Sequence, residues 1–251
     1  MRLSDFKKDC LKNRSILITG ASKGIGKTLA LSLSKHGANV IMLARNEKEM
    51  DAIYDEIKEN YRTEPCILKC DLENLNDSKS NEIANIINEN YKYLDAIIFN
   101  AAVLEKVSNI ESYDTKTWDK VLRINLTSSF ILCKRLIPMM KVSPMPRIIF
   151  TTSGVGKKAK AFWGAYSVSK AGVNALSEIL ADELDSTSNI KVFNFNPKAT
   201  QSDMRSIAYP AEDPSLLKEP KDLIKYYLWM LSKKSNLSRI NYIEYGDEHI
   251  F

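Results

Sequence analysis

The chain has 251 residues, of which 44% are hydrophobic and 27% charged, a balance typical of a folded globular protein and unlike a disordered chain. Its net charge of +5 comes from basic residues scattered along the sequence, which argues against a nucleic-acid-binding surface. The polar N-terminal segment and the lack of a long apolar run predict neither a secretory leader nor a membrane span, so we expect a cytoplasmic protein.

Short apolar runs typical of strands alternate with longer segments of helical period along most of the chain. This alternation predicts an α/β fold with one Rossmann-type, doubly wound parallel sheet of about seven strands and helices on both faces. We expect a single domain over residues 1–251, with a substrate lid at about 201–219. Strands are predicted at 15–19, 39–43, 66–70, 94–100, 147–152, 191–196 and near 242–245, and helices at 24–36, 46–61, 75–90, 118–140, 165–185 and 221–231.

The first predicted strand runs directly into a glycine-rich turn and then into a helix. Glycines allow the backbone to approach a pyrophosphate closely, and the N-terminus of a helix offers free N–H groups and the positive end of a dipole. The spacing is Gly-x-x-x-Gly-x-Gly rather than the general dinucleotide pattern. We predict that cofactor binding involves Gly20, Ser22, Lys23, Gly24, Ile25 and Gly26.

The residues after the second predicted strand indicate which nicotinamide cofactor is used. An acidic residue there would bind the adenosine ribose hydroxyls of NAD, whereas a cation would pair with the 2′-phosphate of NADP. The chain has Ala44, Arg45 and Asn46 at this point and no acid. Arg45 therefore favours NADP(H) over NAD(H).

Tyr166 and Lys170 stand four residues apart at the start of a predicted helix and therefore share one of its faces. A free phenol has a pKa of about 10, and a nearby ammonium group stabilises its phenolate by about 1.4 kcal/mol for each unit of depression. Ser153 ends the preceding strand thirteen residues before Tyr166, and Asn125 lies twenty-eight residues before Ser153 in the long helix. We predict a catalytic site formed by these four residues.

The glycine turn together with this spacing resembles the short-chain dehydrogenase/reductase family. The resemblance implies that Asp71, Leu72, Asn100 and Ala101 also contact the cofactor, as do Tyr166, Lys170, Pro197, Thr200 and Ser202. It also places Lys23 where NADP-binding members often carry a cation. Two residues depart from the family pattern, since Ala102 and Lys198 stand where glycines are usual. The segment after Met204 is similar to a bacterial subgroup whose substrates are not established.

The resemblance also implies a mechanism. Tyr166 would donate a proton to a carbonyl oxygen as the nicotinamide delivers hydride, and Ser153 would hydrogen-bond the same oxygen. Lys170 would hold the nicotinamide ribose, and Asn125 would support a water connected to Lys170. No metal is needed, and the family commonly forms homodimers or homotetramers through the helices here spanning about 113–140 and 164–185.

Several functional alternatives stay open at this point. The leading hypothesis is an NADP-dependent oxidoreductase that acts on a small carbonyl or alcohol substrate. The first alternative is a 3-oxoacyl thioester reductase that receives an acidic carrier protein on its basic surface. The second is a nucleotide-binding sensor or scaffold without turnover. Lys157, Lys158 and Lys160, in the loop before Tyr166, could meet an anionic substrate or simply be solvated.

Overall fold

The computed structural model describes residues 3–236, 238 and 240–248. Within these residues, seven parallel strands form one sheet in the order β3-β2-β1-β4-β5-β6-β7. The central pairing joins β1 to β2 and β4, with Thr19 opposite Leu43 and Ile18 opposite Ile98. The predicted Rossmann-type sheet is therefore confirmed. Its strands are β1 Ser15–Thr19, β2 Asn39–Ala44, β3 Cys66–Lys69, β4 Ala96–Phe99, β5 Arg147–Thr151, β6 Lys191–Asn196 and β7 Tyr242–Glu244.

Helices connect the strands and cover both faces of the sheet. Polar side chains cap several of them, and Asn46 and Asn76 accept backbone N–H bonds at the starts of the second and third. The helices are α1 Gly24–Lys35, α2 Glu47–Asn60, α3 Asp77–Asn90, α4 Thr115–Leu122, α5 Ser128–Met140, α6 Gly154–Lys157, α7 Gly164–Asp185, α8 Asp203–Ala208 and α9 Ile224–Leu231.

Two predicted helices differ from the observed ones. The helix predicted at 118–140 is interrupted, because residues Arg123–Thr127 form a π-helical turn between α4 and α5. Such widened turns are often found at functional sites, and this one contains Asn125. The helix predicted at 221–231 begins with a 3-10 turn, Pro220–Leu223, since Pro220 lacks an N–H and occupies its first position.

The core lies on both faces of the sheet because alternate residues of each strand point to opposite sides. In β1, Ile16 and Ile18 join the cluster formed with α1, α2 and α9, whereas Leu17 joins the cluster formed with α3, α5 and α7. All five residues of β1 and of β5 are buried. Burial on both faces explains the near-continuous apolar runs of these strands.

All four cysteines and one of the two histidines lie among the described residues. Cys10, Cys66, Cys70 and Cys133 are free thiols, and burial raises the pKa of each of them. His36 follows α1 as its C-terminal capping residue, and the other histidine lies outside the described residues. In the part of the chain that the structure describes, no helix combines the length and the hydrophobicity that a bilayer span needs.

Candidate active site

The glycine turn after β1 is pressed against the end of β4. Gly20 and Gly24 have φ angles of 67° and 53°, in the left-handed region that favours glycine. A Cβ added to Gly20 would lie 2.9 Å from the Cα of Ala101, and one added to Gly26 would lie 2.0 Å from the carbonyl oxygen of Gly20. These close approaches explain why the predicted turn needs glycine at positions 20 and 26.

Thr19 joins the turn to the residues after β4. Its hydroxyl oxygen accepts hydrogen bonds from the backbone N–H groups of Asn100 and Ala101, both at 3.0 Å. The side-chain amide of Asn100 donates to the carbonyl oxygen of Thr19 at 3.3 Å. Asn100 and Ala101 thus lie beside the glycine turn, as predicted, whereas the bridging role of Thr19 was not.

The ends of β2 and β3 border a surface cleft. Arg45 is exposed immediately after β2, and Lys69 and Asp71 line the same cleft together with the first turns of α3. The Asp71 carboxylate accepts hydrogen bonds from the backbone N–H of Glu73 at 3.1 Å and from the Asn74 side chain at 3.0 Å. The structure therefore brings Arg45 and Asp71, two of the residues predicted to bind the cofactor, to the same cleft.

Two of the predicted cofactor residues have other partners. The ammonium of Lys23 lies 2.7 Å from the Asp203 carboxylate at the start of α8, although both side chains remain largely exposed. The side chain of Leu72 is buried in the core beneath the cleft, so only its backbone is available to a ligand. The ion pair of Lys23 joins residues 180 positions apart and could not be predicted from spacing.

The catalytic candidates converge at the carboxyl end of β5. Tyr166 and Lys170 lie in the first two turns of α7 and are only 7% and 3% exposed. The Lys170 ammonium lies 5.8 Å from the centre of the Tyr166 ring and donates a hydrogen bond to the carbonyl oxygen of Thr151 at 2.8 Å. Ser153, two residues after β5, hydrogen-bonds the Tyr166 side chain. The residues that were predicted from their spacing therefore lie together in the structure.

Burial dominates the ionisation of this group. It raises the pKa of Tyr166 to about 12, although the hydrogen bond with Ser153 acts in the opposite direction. It also lowers the pKa of Lys170 to about 8, because the charged ammonium loses its hydration inside the protein. At neutral pH the phenol is protonated and most of the lysine is charged.

Asn125 connects the π-helical turn to two other parts of the site. Its side-chain oxygen accepts a hydrogen bond from the N–H of Val103 at 2.8 Å. Its amide group donates to the carbonyl oxygen of Val103 at 2.9 Å and to the hydroxyl of Ser169 at 3.0 Å. The side chain is 2% exposed and ties the segment after β4 to α7. This clamp was not foreseen, since the sequence indicated only a water-supporting role.

The loop after β6 contains the main departure from the family pattern. Lys198 has a φ of 54°, so it occupies a left-handed conformation where a glycine is usual. Its backbone N–H donates to the side-chain oxygen of Asn196 at 3.0 Å, and its ammonium lies 3.3 Å from a carboxylate oxygen of Glu244. The Thr200 hydroxyl donates to the carbonyl oxygen of Pro197 at 3.1 Å. Residues of both neighbouring strands, β6 and β7, therefore hold this loop in place.

Ser202 lies near the start of residues 201–219 (the lid segment), for which the sequence predicts a substrate lid. Its hydroxyl oxygen accepts the N–H of Arg205 at 3.2 Å and so caps the N-terminus of α8. The segment 201–219 is not a structureless loop, because it contains α8 and the 3-10 turn Pro214–Leu216. Within residues 3–236, 238 and 240–248, no cluster of His, Cys, Asp or Glu side chains is suited to hold a metal ion.

The family model for short chain dehydrogenases matches residues 14–213, which include every catalytic candidate. The chain belongs to the short chain dehydrogenase family. The resemblance inferred from the glycine turn and the Ser-Tyr-Lys spacing is therefore confirmed, and with it the class of oxidoreductase.

Individual relatives support this family assignment over almost the whole chain. The uncharacterized oxidoreductase YciK of Escherichia coli (strain K12) is 35% identical over 229 residues, which cover 91% of this chain and 90% of the relative. A short chain dehydrogenase from Shigella flexneri 2a, solved in complex with NADP, is 34% identical with a TM-score of 0.91, covering 95% of this chain and 98% of that structure.

A carrier-protein-dependent member of the same family is a weaker match. The 3-oxoacyl-[acyl-carrier-protein] reductase FabG of Rickettsia bellii is 30% identical over 234 residues, which cover 90% of this chain and 92% of the relative. Because this identity is lower than the 35% to YciK, the thioester alternative is not favoured.

Proposed function

We propose that this short chain dehydrogenase interconverts a carbonyl compound and the corresponding alcohol with NADP(H), using Tyr166 as the proton donor and acceptor. The observation that carries the proposal is the Tyr166 phenol, buried against the Ser153 hydroxyl and near the Lys170 ammonium. At neutral pH this phenol is protonated and so is in the form that can donate a proton, although the burial that raises its pKa to about 12 makes it a weaker acid than a free phenol.

The glycine turn and Arg45 fit a dinucleotide. A Cβ added at Gly24 would point into open space, and among the described residues α1 begins without a side-chain cap from Lys23. The first N–H groups of α1 are therefore suited to a pyrophosphate. Arg45, exposed after β2, would pair with a 2′-phosphate, and the complex of the Shigella flexneri relative with NADP supports this choice. The cofactor is NADP(H).

The remaining cofactor contacts follow from the positions of the other predicted residues. We expect Asn100 and Ala101, fixed by Thr19, to contact the cofactor beside the glycine turn. We expect Pro197, Thr200 and Ser202, which lie between β6 and α8 or at the start of α8, to contact it as well. When bound, the nicotinamide supplies a hydride equivalent to the carbonyl carbon.

Side chains of the protein hold and transfer the proton of the reaction. Tyr166 transfers its hydroxyl proton to the carbonyl oxygen, and Ser153 donates a hydrogen bond to the same oxygen as negative charge develops there. The phenolate that remains is stabilised by the ammonium of Lys170, whose position is fixed by its bond to the Thr151 carbonyl oxygen. In the oxidation direction the phenolate accepts the proton. Asn125 acts as a positioning residue, because it links α7 to Val103.

We also propose a homodimer or homotetramer in which α5 and α7 contact a second copy. Phe130 on α5 and Val168 and Ile179 on α7 support this, since they are large apolar side chains that are 51%, 47% and 54% exposed. The cytoplasmic location and the single-domain organisation remain predictions.

The test is a comparison of two tyrosine variants in the purified protein. We expect Tyr166→Phe to lower kcat for the reduction of aldehydes and ketones with NADPH by at least about a thousandfold, because the proposed proton donor is removed. The control is Tyr91→Phe, which removes a hydroxyl that bonds the Glu64 carbonyl oxygen far from α7. If Tyr166→Phe keeps the wild-type rate, the proposed role of Tyr166 is wrong. If NADPH binds but wild-type protein reduces no carbonyl, the sensor alternative is correct.

A further inference from the structure

The wall beside the Tyr166 phenol is aromatic and reaches from the catalytic helix to the lid segment. The ring of Trp163, the residue before α7, lies 5.7 Å from the ring of Tyr166, measured between centroids. It also lies 6.0 Å from the ring of Tyr209, the residue after α8, and both ring pairs are tilted, by 55° and 44°, rather than stacked. The rings of Trp163 and Tyr209 are both partly exposed. A flat molecule next to the phenol would therefore meet an aromatic face rather than a polar one.

The short helix α8 adds apolar side chains to the cluster that contains Tyr166. Met204 and Ala208 pack against this cluster, which also contains Leu104 and Val155. We expect a molecule that presents its carbonyl to Tyr166 to displace these two side chains. Because burial of apolar surface would be lost when they move aside, the replacing molecule must itself be apolar next to the reacting carbon.

Two of the cations close to this wall have partners within the protein. The Arg205 guanidinium on α8 makes two hydrogen bonds of 2.6 Å to the Glu212 carboxylate and stacks 3.8 Å above the Tyr209 ring. Lys157, one of the three lysines that could have met an anionic substrate, instead places its ammonium 4.8 Å from the Tyr242 ring centre. An anionic substrate would have to compete with these contacts, whereas a neutral one leaves them intact.

Phe162, the residue before Trp163, adds an exposed aromatic side chain next to this wall. It has a φ of 71°, a left-handed conformation that is strained for a bulky residue, and its side chain is 61% exposed. Its carbonyl oxygen accepts a hydrogen bond from the N–H of Ser108 at 3.1 Å, which ties it to the segment after β4. Strained residues of this kind occur mainly at ligand sites and catalytic sites.

We infer that the substrate is a neutral aromatic aldehyde or ketone whose ring stacks on Trp163 and displaces Met204 and Ala208 of α8. The inference rests on the proposed function, since it needs Tyr166 as the group that faces the carbonyl oxygen. Trp163 is the residue that determines specificity. It selects flat rings because its tilted contacts with Tyr166 and Tyr209 hold its partly exposed ring in place.

The first arm of the test measures kcat/KM with NADPH for matched aldehydes. Benzaldehyde and cyclohexanecarbaldehyde have similar size but differ in flatness, and we expect benzaldehyde to be preferred by about tenfold. Methyl 4-formylbenzoate and 4-formylbenzoate differ in charge, and we expect the charged compound to be disfavoured by at least about tenfold. Equal values within the first pair, or a preference for the carboxylate in the second, would overturn the inference.

The second arm tests Trp163 by variants. In Trp163→Leu the ratio of kcat/KM for benzaldehyde to that for cyclohexanecarbaldehyde should fall to about one, and Trp163→Phe should restore most of it. The matched control is Trp118→Leu on α4, whose ring makes an edge contact with the ring of Tyr113, with 5.7 Å between centroids. A ratio that Trp163→Leu leaves unchanged assigns the ring preference to another residue and refutes the role of Trp163.

The third arm separates the inference from the proposed chemistry. Calorimetry on Tyr166→Phe with NADPH bound compares benzamide with cyclohexanecarboxamide, two neutral amides that the enzyme cannot reduce. We expect benzamide to bind about tenfold more tightly, and more weakly when Trp163→Leu is added. Selective binding without turnover in wild-type protein would overturn the proposed function and leave the aromatic site standing. Turnover without selective binding would overturn the site alone.

Discussion

Two loops at the carboxyl edge of the sheet use left-handed backbone, and they do so with different residues. In the turn after β1, Gly20 and Gly24 have φ angles of 67° and 53°. In the loop after β6, Lys198 has a φ of 54°. A residue with a Cβ in this conformation costs about 1 to 2 kcal/mol, which glycine avoids.

The difference shows which contacts each loop depends on. The turn is pressed against Ala101, so at position 20 both the conformation and the space demand glycine. The loop after β6 offers room for a side chain, and that side chain pairs with Glu244 while the backbone N–H bonds Asn196. The turn after β1 is therefore constrained by close packing. The loop after β6 is instead held by polar contacts, which offset the strain of its left-handed residue.

The largest effect is expected for Gly26→Ala. Its Cβ would lie 2.0 Å from the carbonyl oxygen of Gly20, which belongs to the backbone and cannot move without opening the turn. We expect the free energy of unfolding to fall by about 3 kcal/mol or more, with loss of NADPH binding. Chemical denaturation and calorimetry measure both. Gly24→Ala is the control, since its Cβ would meet open space and only the conformational cost of about 1 kcal/mol applies. Equal stability of the two variants would contradict the packing argument.

Arg45→Asp tests the proposed contact between the residue after β2 and the 2′-phosphate of the cofactor. The variant replaces the cation proposed for the 2′-phosphate by an acid suited to ribose hydroxyls, so we expect the KM for NADPH to rise about a hundredfold and that for NADH to change little. Steady-state kinetics with both cofactors measure this. Arg62→Asp, an equally exposed change of charge between α2 and β3, is the control. Equal increases of KM for the two cofactors would show that Arg45 does not recognise the phosphate.

The free energy of unfolding should depend on pH through Lys170 of the catalytic group. Burial lowers the pKa of Lys170 to about 8, so between about pH 8 and 10 the unfolded chain binds more protons at this residue than the folded one. Stability contributed by Lys170 therefore rises with pH in that window and is lowest below pH 8. We expect the difference in unfolding free energy between wild type and Lys170→Met to grow in favour of wild type by about 2 kcal/mol from pH 8 to 10.

Denaturant titrations of both proteins across this range measure the difference, in which the ionisation of all other groups cancels. Ser169→Ala, next to Lys170 in the same helix, provides a control without a titrating group. A difference that stays constant with pH would mean that the buried ammonium keeps an ordinary pKa.

The smallest effect is expected for Lys198→Gly, which makes the loop after β6 resemble the turn after β1. Relief of the left-handed strain should exceed the loss of a half-exposed ion pair with Glu244, so we expect stability to rise by about 1 kcal/mol or somewhat less. Lys198→Ala is the matched control, because it loses the ion pair but keeps the strain, and it should be slightly destabilised. Thermal unfolding of the three proteins compares them, and a less stable glycine variant would refute the strain.

The sequence predicted the sheet and most of the site because both depend on local patterns. Alternating apolar runs and helical segments indicate a parallel sheet wherever they occur, and a strand followed by glycines and a helix specifies its own turn. Tyr166 and Lys170 share a helix face by spacing alone, and Ser153 lies at the end of the neighbouring strand. These features need few contacts between distant parts of the chain.

The contacts that the sequence did not reveal join distant segments. Three such contacts are the ion pair of Lys23 with Asp203, the clamp of Asn125 on Val103 and the tilted ring contact of Trp163 with Tyr209. All three depend on how loops meet across the sheet edge. The π-helical turn that carries Asn125 contains neither glycine nor proline that would mark the interruption of the helix.

The sequence by itself thus determined the family, the cofactor turn and the order of the catalytic residues, because backbone periodicity and fixed spacing carry that information. Only the tertiary structure decided that the left-handed residue 198 is held by Asn196 and Glu244, and that the turn after β1 is closed against Ala101. Side-chain contacts between loops depend on the packing of the whole sheet, which no short stretch of residues specifies.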